Sequence, residues 1–337
     1  MTNREETLKS DDAIERILRS APRRPTPAAA DIARARGAVR DEWIALCGRR
    51  RMRRRILSLA MAASIIAAVA AGLFALRVPS ALPERVATIQ RSTGQIYLPD
   101  EQSVLHQLSD PVDFSTGQSV VTGEDAAVAL DWLGGGSLRI DENSRVEFIS
   151  SGEIFLRDGR VYFDSQPSTL QARIETRVTA DFAVRTVEGV IRHAGTQYMT
   201  GVAATGVTVS VREGQVHVAG TTINATATAG QQVRLREGAP PSYTNVGTHG
   251  ALWRWAEKIA PEVIVDQRSV HEFIGWVARE SGLDVRFASD AAEQLAHTTQ
   301  MTGSSGSLEP RAALQVLLQT TTLKAAIEDG SILVTER

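Results

Sequence analysis

The chain has 337 residues, with 37 Lys/Arg against 39 Asp/Glu and one cysteine, Cys47. That length suits two domains, or two and a short appendage, and a lone thiol excludes an internally disulfide-stapled scaffold. A charged fraction of 23% beside 43% apolar residues excludes wholesale disorder. The net charge of −2 hides an asymmetry: residues 1–55 hold 15 basic and 8 acidic side chains, residues 77–337 hold 22 and 31.

Residues 1–55 read as a helical tail. Asp11 or Asp12 caps a short helix with Ile14, Ile17 and Leu18 on one face, broken by Pro22, Pro25 and Pro27. From Ala28 to Cys47, helical spacing aligns Ile32, Ala35, Val39, Trp43, Ile44 and Cys47. Two such helices cannot bury a core by themselves. Two readings stand side by side. The tail docks on a partner, with Trp43 and Ile44 as anchors and Ile14, Ile17 and Leu18 as the first helix's contacts, or its helix extends the following apolar segment or lies on a membrane surface.

Residues 56–76, ILSLAMAASIIAAVAAGLFAL, carry no charge. As a helix rising about 1.5 Å per residue they cover roughly 30 Å, the thickness of a bilayer's hydrocarbon core. Arg49, Arg50, Arg51, Arg53, Arg54 and Arg55 precede them, and a lone Arg77 follows. The positive-inside rule then predicts one span, a cytoplasmic tail 1–55 and an exported part 77–337. The flanking arginines argue against a buried core helix, and the long leader and long apolar run argue against a cleaved signal peptide. The apolar neighbour accounts for the arginine block, so no nucleic-acid patch is expected.

After a linker at 77–85, residues 86–240 alternate apolar and polar: Leu138 and Ile140, Val146 and Phe148, Val161 and Phe163, Val207, Val209 and Val211. Period two predicts half-buried strands. Gly134–Gly136, Ser151-Gly152, Asp158-Gly159, Glu213-Gly214 and Glu237-Gly238 read as turns between them. The expectation is an all-β domain, an antiparallel sandwich, barrel or solenoid. The ordered runs GGGSLRIDENSRVEF, IFLRDGRVYFD, FAVRTVEGVIRHAGTQYMTGV and VTVSVREGQVHV resemble the FecR domain over about 150 residues.

Residues 241–261 are expected as a linker holding Trp253 and Trp255 in a short helix or docking segment. Residues 262–337 predict a small α/β module. Its expected elements are a strand at Glu262–Asp266, a Ser269-capped helix stopped by Gly282, and strands at Leu283–Phe287 and near Thr298–Gly303. A helix over Leu308–Thr322 and a hairpin turned at Asp329-Gly330 complete the order βαβ-βαββ. The first helix buries Val270, Phe273, Ile274, Val277 and Ala278, the second Ala313, Val316, Leu317 and Thr320. The runs HEFIGWVARESGLDVRFA and LEPRAALQVLLQTTTLKAAIEDGSILV resemble the short N-terminal domain of secretins and TonB-dependent receptors, the STN module.

A FecR domain followed by an STN-like module is the organisation of FecR-type regulators of cell-surface signalling. The resemblance implies a single-pass inner-membrane protein. Its periplasmic part would contact the signalling domain of a TonB-dependent outer-membrane receptor. Its cytoplasmic tail would act on an extracytoplasmic-function sigma factor, controlling transport genes. A zinc-binding anti-sigma subtype needs His and Cys at close spacing, and the tail has Cys47 without any histidine.

No catalytic, cofactor or metal residues are expected. The six histidines stand at least 22 positions apart, so none share a local ligand spacing. The chain shows no phosphate loop or nucleophile elbow, since SSGS at 304–307 reads as loop. The alternative to the signalling regulator is a membrane-anchored periplasmic binding or scaffold protein whose tail serves topology alone.

Overall fold

In the computed structural model the chain divides into two units, residues 1–80 and 81–337. The structure describes residues 15–16, 19–20, 28–43, 83–99, 105–107, 113–166, 182–220 and 224–337. The expected anchors Ile14, Ile17, Leu18 and Ile44, the six arginines from Arg49 to Arg55 and the span 56–76 lie outside them. Among the described residues no helix is long and apolar enough to cross a membrane. In the first unit, residues 29–43 form one helix, α1.

The second unit begins with strands β1 (Arg85–Thr93), β2 (Ile96–Pro99), β3 (Leu105–Gln107), β4 (Asp113–Ser115), β5 (Ser119–Thr122), β6 (Ala127–Trp132), β7 (Ser137–Ile140) and β8 (Arg145–Ser150). They continue as β9 (Glu153–Asp164), β10 (Ala183–Thr186), β11 (Gly189–Ala203), β12 (Gly206–Ala219), β13 (Asn224–Thr228), β14 (Gln231–Arg236) and β15 (Ala239–Asn245). All fifteen belong to one sheet, antiparallel except where β9 runs parallel to β10. The apolar phase of the alternation, including Leu138, Phe163, Tyr198 and Val211, converges on a single buried cluster. Phe163 stacks on Phe182 there, with ring centroids 3.9 Å apart.

Two expected turns are not turns. Asp158-Gly159 lies inside β9 and Glu213-Gly214 inside β12. Residues 153–158 of β9 pair with β8 and β10, and residues 159–164 with β7 and β11. The strand therefore bends at Gly159 and serves two neighbourhoods. Gly159 has φ 89°, and a Cβ there would collide with the backbone and hydroxyl of Ser144. Gly214 has φ 76° and packs on the backbone of Gly195, where the pairing of β11 with β12 slips. Close approach and a bulge, not chain reversal, call for glycine at both places.

Residues 241–261, expected as a linker, are built into the fold. β15 pairs with β14, and a 3-10 turn at Ala251–Trp253 leads into α2 (Arg254–Lys258). The module beyond follows as β16 (Arg268–Ser269), α3 (Val270–Ser281), β17 (Asp284–Phe287), α4 (Asp290–Thr298), β18 (Gln300–Met301), α5 (Pro310–Leu317), a 3-10 turn at Leu318–Thr320, β19 (Leu323–Glu328) and β20 (Ser331–Glu336). Its main sheet has the order β17-β20-β19, and β16 pairs with β18.

The Ser269 hydroxyl accepts from Glu272 N–H while the Glu272 carboxylate accepts from Ser269 N–H, a complete capping box for α3, and Gly282 closes it in the left-handed region. The expected apolar face of α3 is buried in the module's core.

Three expectations there differ from the structure. Glu262–Asp266 makes only an isolated bridge, Ile264 to Ser304. Helix α4, capped by Ser289, stands where no helix was expected. The second apolar helix buries Ala313, Leu314 and Leu318, while Val316 is 47% exposed and Thr320 is exposed. The inward stripe of α5 is rotated by about one position from the expected one.

Candidate functional site

The register of the central strands sets Arg139 opposite Tyr162, and Tyr162 opposite Met199. These side chains occupy the polar phase of the alternation, the face away from the apolar cluster. In an open sheet that face meets water. Here the C-terminal module covers it, and Tyr162, Met199, Trp253 and Ala256 form a second small buried cluster.

Charge joins the two layers. Arg139 is fully buried; its Nη2 donates to Glu280 Oε2 at 2.6 Å and its Nη1 to the Ala256 carbonyl at 2.7 Å. Its guanidinium lies 5.0 Å from the centroid of the Tyr162 ring. Arg212, 3% exposed, donates from Nη1 to the Glu280 carbonyl at 2.8 Å and stands over the Trp253 ring at 4.7 Å. Glu257 on α2 accepts from Arg212 on the sheet side and from Arg311 on α5 at 3.0 Å. On the same face Arg279 grips Asp164 with Nε and Nη2 and reaches Glu213 with Nη1.

The electrostatics follow from this packing. Burial alone pulls the Arg139 guanidinium down, but Glu280, with Tyr162 and Asp164 behind it, outweighs burial and holds it above the usual value. Arg279 behaves alike, through Asp164. The Tyr162 phenol is pushed up to about 12, chiefly by burial. None of these groups lies in its titratable range near neutrality, so the constellation suits holding two layers together rather than moving protons.

The tail presents the opposite situation. On α1, Ile32, Ala35, Arg36, Val39 and Trp43 share one face at spacings of three, four and seven. Val39 is 69% and Trp43 66% exposed. Asp31 and Arg34 pair with each other, three positions apart. Trp43 thus lies on an apolar stripe with Ile32 and Val39, residues that the helical spacing aligned with it.

The third place is one that sequence spacing hid. His271 in the first turn of α3 and Glu293 and His297 on α4 bring their ligand atoms within 4.8 Å of one another. The two imidazoles, 26 positions apart in the chain, stack with centroids 3.8 Å apart, and Phe287 stacks on His271 at 5.8 Å.

Residues 118–217 match the family model described as FecR protein. That stretch runs from the residue before β5 into β12 and contains Arg139, Asp164 and Arg212, the sheet's side of the charge network. Two crystal structures of candidate anti-sigma factors from Parabacteroides distasonis are similar to this chain at 12% and 13% identity. Both have TM-scores of 0.33, covering 65% of this chain and 98% and 99% of theirs. No curated protein matches the chain.

Proposed function

We propose that this protein, which carries a FecR domain over residues 118–217, is a single-pass inner-membrane regulator that passes a periplasmic signal to an extracytoplasmic-function sigma factor. The FecR domain is the observation that carries the reading. Six arginines before an uncharged run of 21 residues support the topology, with the tail in the cytoplasm and residues 77–337 outside it. The exposed stripe of α1 supports a protein partner for the tail. A 15-residue helix is marginal in water by itself, and an exposed tryptophan on such a stripe gains most from being covered.

On this reading the tail holds the sigma factor, and the STN-like residues 262–337 receive the signalling domain of a TonB-dependent outer-membrane receptor. The genes controlled are transport genes. The protein acts by binding and release, without chemistry of its own.

Residues 1–55 used as bait should capture a sigma factor. Trp43→Ala should weaken capture by about thirtyfold, the equivalent of the roughly 2 kcal/mol that marks a hot-spot aromatic. Target transcription untouched by deletion of the tail would refute the proposal and leave an anchored scaffold.

A further inference from the structure

We propose that His271, Glu293 and His297 form a binding site for a divalent transition-metal ion of the zinc type on the C-terminal module. The donor set is two imidazoles and one carboxylate, a combination that zinc accepts with one position left over. Magnesium and calcium are disfavoured, because both demand mostly oxygen ligands.

The fold builds the site from two elements. Glu293 and His297 stand four apart on α4 and so project from the same helix face. His271 comes from the N-terminal turn of α3, and its ring is steadied by Phe287, the last residue of β17. Glu272, the next carboxylate along, is already engaged by the Ser269 cap and the Arg268 side chain. Glu293 is therefore the carboxylate left for an ion.

Distances bring the group close to a coordination shell without completing it. Donors around one tetrahedral zinc stand about 3.3 Å apart, given metal–ligand bonds of about 2.0–2.1 Å. Ligand atoms within 4.8 Å of one another need a contraction of about an ångström and a half at most. Stacked rings aim their nitrogen lone pairs along nearly parallel planes, here 20° apart, so one ring must turn for both to meet the same ion. His297 and Glu293 are exposed, and His271 is half-buried against Phe287. His297 is thus the ring free to turn, swinging from the stack into the shell.

Three protein donors leave the fourth position to water or to a donor from whatever docks on the module. Bound metal would also tie the start of α3 to the end of α4. This inference stands apart from the regulatory reading, because it rests on side chains of residues 271–297 alone.

The test is titration of the metal-stripped full chain, in detergent, with Co2+ followed by its visible ligand-field absorption, and with Zn2+ by calorimetry. The wild type should bind one ion at this site and show no competition from excess Mg2+. His271→Ala, Glu293→Gln and His297→Ala should each weaken binding by about tenfold or more, since even loss of a hydrogen bond behind a ligand costs about that much. Glu293 and His297 are surface positions, so their variants should keep the wild-type circular dichroism. Absence of Zn2+ binding in the wild type would overturn the site. So would binding that persists undiminished in Glu293→Gln and His297→Ala, which would belong to other donors such as Cys47.

Discussion

Replacing Glu280 with leucine should be among the most damaging single changes in the second unit. The Arg139–Glu280 pair has side chains only 1% and 2% exposed. Arginine cannot shed its proton at any accessible pH, so the variant leaves a full positive charge buried. The remaining partners of Arg139 are the Ala256 carbonyl and the Tyr162 ring, dipoles rather than charges. Asp164, the other carboxylate that acts on Arg139, is held by Arg279. Breaking one side of a buried pair costs about 3–5 kcal/mol. In a unit of this size each kcal/mol moves the melting temperature by about 2–4 °C, so the midpoint should fall by roughly 6–20 °C. The double replacement Arg139→Met with Glu280→Leu removes both charges and should restore most of the loss, because well-packed apolar substitutes for buried pairs are close to neutral. Thermal unfolding followed by near-ultraviolet circular dichroism, which reads the buried Trp253 and Trp276, measures all four corners of the cycle. A single-variant loss under about 1 kcal/mol, or a double variant as weak as the sum of the singles, would refute the buried-pair account.

Gly159→Ala should cost more than about 1 kcal/mol, because φ is 89° and the new Cβ would press on Ser144. Gly230→Ala, at φ 79° with nothing within 4 Å, isolates the backbone share, and equal losses at both sites would remove the close-approach argument. Compartment reporters fused after Arg40 and after Gly250 should report opposite sides of the membrane, given six arginines before the apolar run and one after it. Reporters in the same compartment would reject the single span.

Local patterns reveal only part of this fold. Alternation along β7, β9, β11 and β12 shows which residues share a face, and the capping box with Gly282 fixes α3 at both ends. Alternation does not show what covers the second face. Arg139, Asp164 and Arg212 sit in the polar phase and look solvent-facing, and only the docked module makes them buried. An Asp-Gly or Glu-Gly step has the chemistry of a turn, yet at Gly159 and Gly214 the demand comes from residues far away in sequence. Helix α4 spans nine residues whose only large apolar side chain is Leu295, so little in its sequence marks a buried face. The His271–His297 pair arises from tertiary packing alone, and no spacing rule within a segment could have found it.

The charge pattern between sheet and module has a further physical consequence. Buried ion pairs add little net stability over apolar packing, but they penalise every wrong arrangement. Arg279 and Glu280 are neighbours on α3 that enter opposite environments: Arg279 meets Asp164 and Glu213, and Glu280 meets Arg139. A shift of α3 by one position would set Arg279 against Arg139 in one direction, or Glu280 against Asp164 in the other, a buried like-charge contact either way. Glu257 adds the same selectivity from α2, since it needs Arg212 on one side and Arg311 on the other. The module therefore has one low-energy seat on the FecR domain, and small sliding motions between them are suppressed. A partner that binds residues 262–337 then has two routes to the rest of the chain. It moves the sheet with the module as one body, or it breaks the charge network outright and releases the module whole. The Glu280 variant separates these routes, because it loosens the seat without touching the module's own apolar core.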